Sequence, residues 1–373
     1  MAIKNSDYAI LSAPVRSFSA PELPYEPRKP RHYQPAIGLI ACGGITHHHL
    51  KAYRAAGFRV VALCDLVLAR AKRRRDEFYP EAEVYRDYRK LLARDDIEVV
   101  DIATHPPERP PLVRDALMAR KHVLSQKPFV LDLDRGQRLA DLADRKGVRL
   151  AVNQNGRWAP HFSYIRQAIA AGLLGRVSAA HLSVHWDHTW VKGTVFETIK
   201  HLILYDFAIH WFDILHCFFG DRPARRVYAS QAATQGQAVR PPMLGQALIE
   251  FDDAQASLNF DADTHFGPQE RTYVTGTCGT IHSVGPDSKC QTLTLSTKQG
   301  QASPKLEGAW FSDGFRGTMG ELLCAIEEHR EPTHNARDNL RSLELCFAAV
   351  ASAERHEAVV PGTIRRLPRV RGW

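Results

Sequence analysis

The sequence predicts an α/β protein in which an N-terminal Rossmann-type, doubly wound parallel sheet precedes a C-terminal α/β domain with a large open, mostly antiparallel sheet. Three observations carry this. Residues 36 to 65 read as strand, glycine turn, helix, strand and terminal acid, the outline of a dinucleotide-binding βαβ unit. Apolar strands and amphipathic helices then alternate to residue 153, the pattern of a parallel sheet. After that, period-two alternation dominates until two amphipathic helices close the chain.

Residues 1–35 form an extended arm, because prolines at 14, 21, 24, 27, 30 and 35 exclude helix and central strand. Leu23, Tyr25 and Tyr33 predict that the arm packs somewhere, a subunit interface being the expected place. Residues 36–153 make the dinucleotide-binding domain. Ile37, Leu39 and Ile40 give its first strand, Gly43 and Gly44 are expected to make the tight turn, and Leu50 and Tyr53 mark the following helix. A pyrophosphate would sit on that helix's free N–H groups. The second strand, 60 to 63, leads to Asp65, placed to accept a hydrogen bond from a ribose 2′-OH. The G-x-G-x-x-G pattern falls on Ala41-Cys42-Gly43-Gly44-Ile45-Thr46, with only the middle glycine in place, so an ordinary βα turn is the competing reading. Further strands are expected at 99 to 103, 122 to 124 and 149 to 152, with helices between them. Residues 154–373 form the substrate-binding and oligomerisation domain, with strands near 180 to 186, 227 to 232, 246 to 251, 256 to 261, 271 to 277 and 291 to 296.

With 373 residues and 44% hydrophobic composition, the chain has enough apolar mass for two cores. The longest apolar runs fall short of the ~20 residues that span a bilayer, and the N-terminus lacks a signal-peptide layout, so a cytoplasmic protein without membrane partners is expected. Its seven cysteines show neither C-x-x-C pairs nor zinc spacing, which predicts reduced thiols and no metal. The net charge of +8 is scattered, and no nucleic-acid motif accompanies it. The densest basic cluster, Lys72 to Arg75, is expected to be a solvated helix face.

Three groups of residues suit chemistry. Lys127, followed by Pro128, is held extended at the carboxyl end of a parallel strand, where ligands bind. In the apolar helix expected over 201 to 219, spacings of four and three put Asp206, His210 and Asp213 on one face. They form either an acid-base pair at a cleft or a structural Asp-His network. His185, Trp186, Asp187, His188, Trp190 and Lys192 offer indole faces and hydroxyl partners suited to a polyol, or a half-buried strand with polar neighbours.

In order along the chain, IGLIACGGI, HVLSQKPFVLD, NQNGRWAP, LYDFAIHWFD and the stretch from Gly317 to Val350 resemble the glucose-fructose oxidoreductase and inositol dehydrogenase (Gfo/Idh/MocA) family over residues 36 to 360. The resemblance implies NAD, with NADP as an alternative, and hydride transfer to or from a sugar, polyol or related hydroxy compound. It implies Lys127 as the cleft lysine, His210 as proton acceptor and Asp206 as the partner of His210. Cys42, Gly43, Gly44, Ile45, Thr46, Asp65, Thr104, His105, Gln126, Lys127 and Asn155 would then contact the cofactor. Arg157, Trp158, His185, Asp187, Trp190 and His210 would contact substrate, in a homo-oligomer, dimer or tetramer. The chain departs from the family pattern at Ala41, at Gln126 in place of Glu, and at Arg109 in place of His. Two other functions fit the same outline: internal use of tightly bound NAD for glycosidic cleavage or epimerisation, and non-catalytic sensing of a dinucleotide or sugar.

Overall fold

Two sheets divide the computed structural model, which describes residues 16–367. The first domain runs β1 (Ala36–Ile40), α1 (Thr46–Ala56), β2 (Arg59–Cys64), α2 (Leu68–Phe78), β3 (Glu83–Tyr85), α3 (Tyr88–Leu92), β4 (Ile97–Ile102), α4 (Arg109–Met118), β5 (His122–Ser125), α5 (Leu133–Lys146) and β6 (Leu150–Val152). Its six strands are parallel in the order β3-β2-β1-β4-β5-β6. The strand order reverses beside β1, and the carboxyl ends of β1, β4 and β5 open onto one crevice. β1 is buried at every residue because helices cover both faces of a parallel sheet.

After α6 (Pro160–Ala170) comes β7 (Val177–His185), and α7 (Ile209–Phe219) leads to β8 (Arg226–Ala232), β9 (Leu244–Glu250), β10 (Gln255–Asp261), β11 (Gln269–Gly276), β12 (Gly279–Gly285), β13 (Thr292–Thr297) and β14 (Gly300–Ala302). The eight strands order as β14-β13-β12-β11-β7-β10-β9-β8, antiparallel except for the β7–β10 pair. Burial alternates along β9, as expected where one face meets helices and the other meets water.

Two long helices, α8 (Trp310–Glu327) and α9 (Ala336–Arg355), follow the second sheet. Met319, Leu322 and Leu323 of α8 nonetheless share a core with Leu50 and Tyr53 of α1, so this helix closes the dinucleotide-binding domain. The chain end returns there too: Leu133 N donates to Arg365 O at 2.8 Å and Leu367 N to Leu131 O at 3.0 Å.

The expected arm is described from residue 16, and its first fifteen residues, Pro14 among them, lie outside the described residues. It packs on its own chain. Phe18 N donates to Gln301 O (3.0 Å), Tyr164 Oη to Pro21 O (2.8 Å), and the Glu327 carboxylate accepts from the amides of Arg31, His32 and Tyr33 at 2.7–2.8 Å. Phe18, Leu23 and Tyr25 join the main core, so their apolar area does not need a second subunit to cover it.

The expected continuous helix over 201 to 219 is interrupted. A π-helical turn, Ile203–Phe207, precedes α7. Its wider turn rotates Asp206 away from the face that Asp213 occupies, so the predicted alignment of Asp206, His210 and Asp213 does not hold.

Candidate functional site

The loop from β1 to α1 supplies a cradle for a dinucleotide. The left-handed residue there is Ala41, at φ 74°, not Gly43 or Gly44 as the motif suggested. Gly43 and Gly44 have open space where a Cβ would lie, which leaves their backbone accessible to a phosphate. No side chain caps the start of α1, and its first turn has no acid, so an anion can take that place. Thr46 is fully buried and turns its hydroxyl onto Gly43 O (2.7 Å), bracing the loop. At the end of β2, the Asp65 carboxylate accepts from Cys42 N (2.7 Å) and Val67 N (2.8 Å). This fixes the acid beside the glycine loop. Arg74 departs from the expected solvated face: it is buried, pairs with Glu77 at 2.9 Å and donates to Gly43 O at 3.2 Å. These features fit a dinucleotide.

Beyond the cradle lies a cavity of about 380 Å³. Ile45, Thr104, His105, Gln126 and Lys127 line its first-domain side, and Asn155, Trp190, Asp206 and His210 come from the second domain. Lys127, at the carboxyl end of β5, reaches across to the π-helical turn, donating from Nζ to Asp206 O (2.8 Å) and Asp206 Oδ2 (3.3 Å). Asp206 therefore holds Lys127 rather than His210. Burial, and then the Lys127 charge, push the His210 imidazole well below its usual range, so it is neutral at neutral pH. Its Nδ1 has no hydrogen-bond partner among the described residues.

A buried chain of hydrogen bonds sets the position of Lys127. Lys127 N donates to Gln126 Oε1 (2.7 Å), which leaves the amide nitrogen of Gln126 facing His49 Nε2 at 3.0 Å. His49 Nε2 must therefore accept, and Nδ1–H donates to Asp101 Oδ2 at 2.7 Å. Tyr53 Oη also donates to that oxygen, at 2.8 Å. A glutamine suits this place because a neutral imidazole nitrogen needs a donor. Arg109, the other departure, is 1% exposed and spends its guanidinium on the carbonyls of Thr104, Pro128 and Phe129. It ties the loop after β4 to the turn after β5.

Four residues expected at the substrate lie elsewhere. Arg157, 2% exposed, forms a bidentate pair with Asp213 (2.6 and 2.7 Å) and also bonds Asp338. It locks α7 to α9. Trp158 packs edge-on to His334, under the Arg166 guanidinium. His185 lies 3.8 Å from Asp261, and Asp187 caps Thr189 N at 2.8 Å and bonds His265. Successive residues at a strand end face opposite ways, so it is Trp186 and His188 that face the cavity. Sequence reasoning also missed Phe196, Phe207, Trp211, Trp310 and Phe311 in its wall. Trp310 donates to Asn155 Oδ1 (3.0 Å) from a helix 155 positions away, a contact without local signal. Among the described residues, no His, Cys, Asp and Glu cluster can hold a metal ion, and no helix is long and apolar enough to cross a membrane.

Comparison with known proteins places this geometry. Residues 36–154 match the family model described as an oxidoreductase family with an NAD-binding Rossmann fold, and residues 162–282 match the GFO/IDH/MocA C-terminal domain. D-apiose dehydrogenase of Paraburkholderia graminis is 28% identical over 337 residues, covering 86% of this chain and 88% of its own length. Inositol 2-dehydrogenase of Rhizobium meliloti is 25% identical over 330 residues, covering 85% and 96%. Among solved structures, an oxidoreductase from Agrobacterium radiobacter in complex with NAD+, L-tartaric acid and magnesium superposes with a TM-score of 0.79 at 21% identity, covering 88% of this chain and 99% of that one. That likeness establishes the shared fold.

Proposed function

Because the chain belongs to the Gfo/Idh/MocA family of NAD-binding oxidoreductases, we propose that it transfers hydride between nicotinamide and a carbinol carbon of a sugar, polyol or related hydroxy compound. The observation that carries this is the meeting of Lys127, anchored by Asp206, with a neutral His210 in one cavity beside the dinucleotide cradle. Bound NAD(H) supplies hydride acceptance and donation. The rest is done by side chains. His210, uncharged, accepts the substrate hydroxyl proton and returns it in the reverse direction. Lys127 lies across the forming alkoxide, and because Asp206 already holds it in place, little reorganisation is needed as that charge develops. The aromatic wall keeps water from the reacting carbon.

NAD is the proposed cofactor over NADP. A 2′-phosphate would lie against the Asp65 carboxylate, which two backbone amides hold in place. Arg70 and Arg73 of α2 are exposed, and the inward-turned Arg74 is engaged with Glu77 and the glycine loop. Screening sugars and polyols for absorbance change at 340 nm with each cofactor tests both parts. The expected result is turnover with NAD that Lys127→Met strongly slows. Turnover unaffected by Lys127→Met, or a preference for NADP, would overturn the corresponding part.

A further inference from the structure

Much of the cavity wall is ring carbon. Trp186 stacks on His188 (5.6 Å between centroids), His188 meets Phe207 (4.5 Å), and Trp190 spans Phe207 (6.1 Å) and Phe196 (5.6 Å). On the adjoining wall Trp211 packs on Trp186 (5.8 Å) and Trp310 (5.5 Å). Trp186 Nε1, Trp211 Nε1 and His188 Nδ1 are buried out of reach of solvent, and Trp310 Nε1 is bonded to Asn155. The hydrogen-bonding groups of the same lining include Lys127, Asp206 and His210, the last of which meets Trp310 edge-on at 5.4 Å.

The charged groups among the described lining residues are also committed. Lys127 and Asp206 pair with each other, and the Arg109 guanidinium is bonded to backbone carbonyls. Burial holds the imidazoles of His105, His188 and His210 below their usual range. A carboxylate or phosphate entering this cavity would give up its hydration for Lys127, a cation whose charge Asp206 already balances. A polyol hydroxylated on every side would leave several hydroxyls against ring carbon, each losing its water partner.

Accepting the redox reading above, we propose that the substrate is an uncharged sugar bearing an apolar substituent, such as an aryl or alkyl glycoside, its carbinol toward Lys127 and His210 and its substituent against the Trp186, Trp190 and Phe207 wall. Aromatic faces stack on such a group and gain apolar burial that a free sugar cannot supply.

The test separates binding from turnover. Phenyl β-D-glucopyranoside, its galacto and xylo analogues, the parent sugars, myo-inositol and D-glucuronate are titrated against the enzyme–NADH complex by tryptophan fluorescence, then assayed with NAD at 340 nm. Burial of a phenyl ring should give the best glycoside about tenfold or more tighter binding than its parent sugar, with a matching gain in kcat/KM and the weakest binding for glucuronate. Trp190, 56% exposed at the cavity mouth, can be trimmed without opening a core; Trp190→Ala should bring the glycosides down toward the parent sugars. Preferential binding without NADH formation would support the substrate class and remove the redox reading. NADH formation from parent sugars or glucuronate with no preference for glycosides would do the reverse. Absence of binding by every glycoside would overturn the proposal.

Discussion

Single residues decide how this site is assembled, and Gln126 is the clearest case. Its oxygen takes the Lys127 amide and its nitrogen meets the acceptor nitrogen of His49, so the lysine is positioned through a neutral imidazole. In Gln126→Glu the second carboxylate oxygen would face that acceptor, and the imidazole could bridge the introduced carboxylate and Asp101 only by taking a proton. The histidine's folded pKa would then exceed its unfolded value of about 6.5. The stabilisation should be present below that pH and disappear as pH rises through the folded pKa. A thermal-melt series from pH 5 to 9 should show this fall relative to the wild type, with kcat falling over the same range; parallel curves would contradict the tautomer assignment. The sequence made Lys127 legible through strand and proline, but not the role of Asp206. Spacing in a regular helix predicted an Asp206–His210 partnership, and the π-helical turn redirected the acid to Lys127. Parity was equally hidden: the cluster from His185 to Trp190 was visible, yet which alternate residues enter the cavity depends on a register that the amino-acid string does not display.

At the scale of elements, the predicted substrate residue Arg157 acts as a joint. From the 3₁₀ turn Asn155–Trp158 it reaches Asp213 on α7 and Asp338 on α9, and Ser342 Oγ adds a hydrogen bond to Asp213 at 2.8 Å. Removing one partner of a buried ion pair leaves the other charge unsatisfied at a cost of about 3–5 kcal/mol. Arg157→Met is therefore expected to lower unfolding free energy by about that much in urea titration, while a loss under about 1 kcal/mol would mean the carboxylates find other partners. The elements themselves were largely readable: β1 as a continuous apolar run, β9 and β10 as alternating strands around Asp252-Asp253. Their long-range companions were not. Nothing local to α8 announces that it packs on α1, and the string does not record that Tyr164 and Glu327 of the same chain meet the arm.

Across the whole molecule, buried ionisable groups bracket stability from both sides of neutral pH. Burial holds His122 and His188 down to about 4 and His161 and His334 down to about 3. Their folded values lie below the unfolded one, so stability is lost as pH falls from about 6.5 through those values. Burial pushes the Glu270 carboxyl up to about 8 beside His161, whose Nε2 is 4.0 Å away. Between the ordinary carboxylate range and that value the unfolded chain ionises first, so stability falls as pH rises toward 8. Glu270→Gln should flatten the alkaline side of a melting-temperature profile and leave pH 5 nearly unchanged; an unaltered alkaline slope would exclude Glu270 as its source. The two-domain order was legible at this scale because period-two and helical patterns separate cleanly along the chain, whereas the aromatic cavity draws on residues from Ile45 to Phe311 and exists only after folding. The central claim, that this cavity moves a proton through His210 while Lys127 holds the charge, is met most directly by the pH dependence of NADH formation. With its imidazole pushed down by burial and by Lys127, the wild type should give a plateau from about pH 6.5 to 8 and an acid limb below it. His210→Asn should lose the limb and about 100-fold or more in kcat, with Lys127→Met slowed but retaining it. A His210→Asn enzyme with near-normal kcat and an intact acid limb would contradict the account.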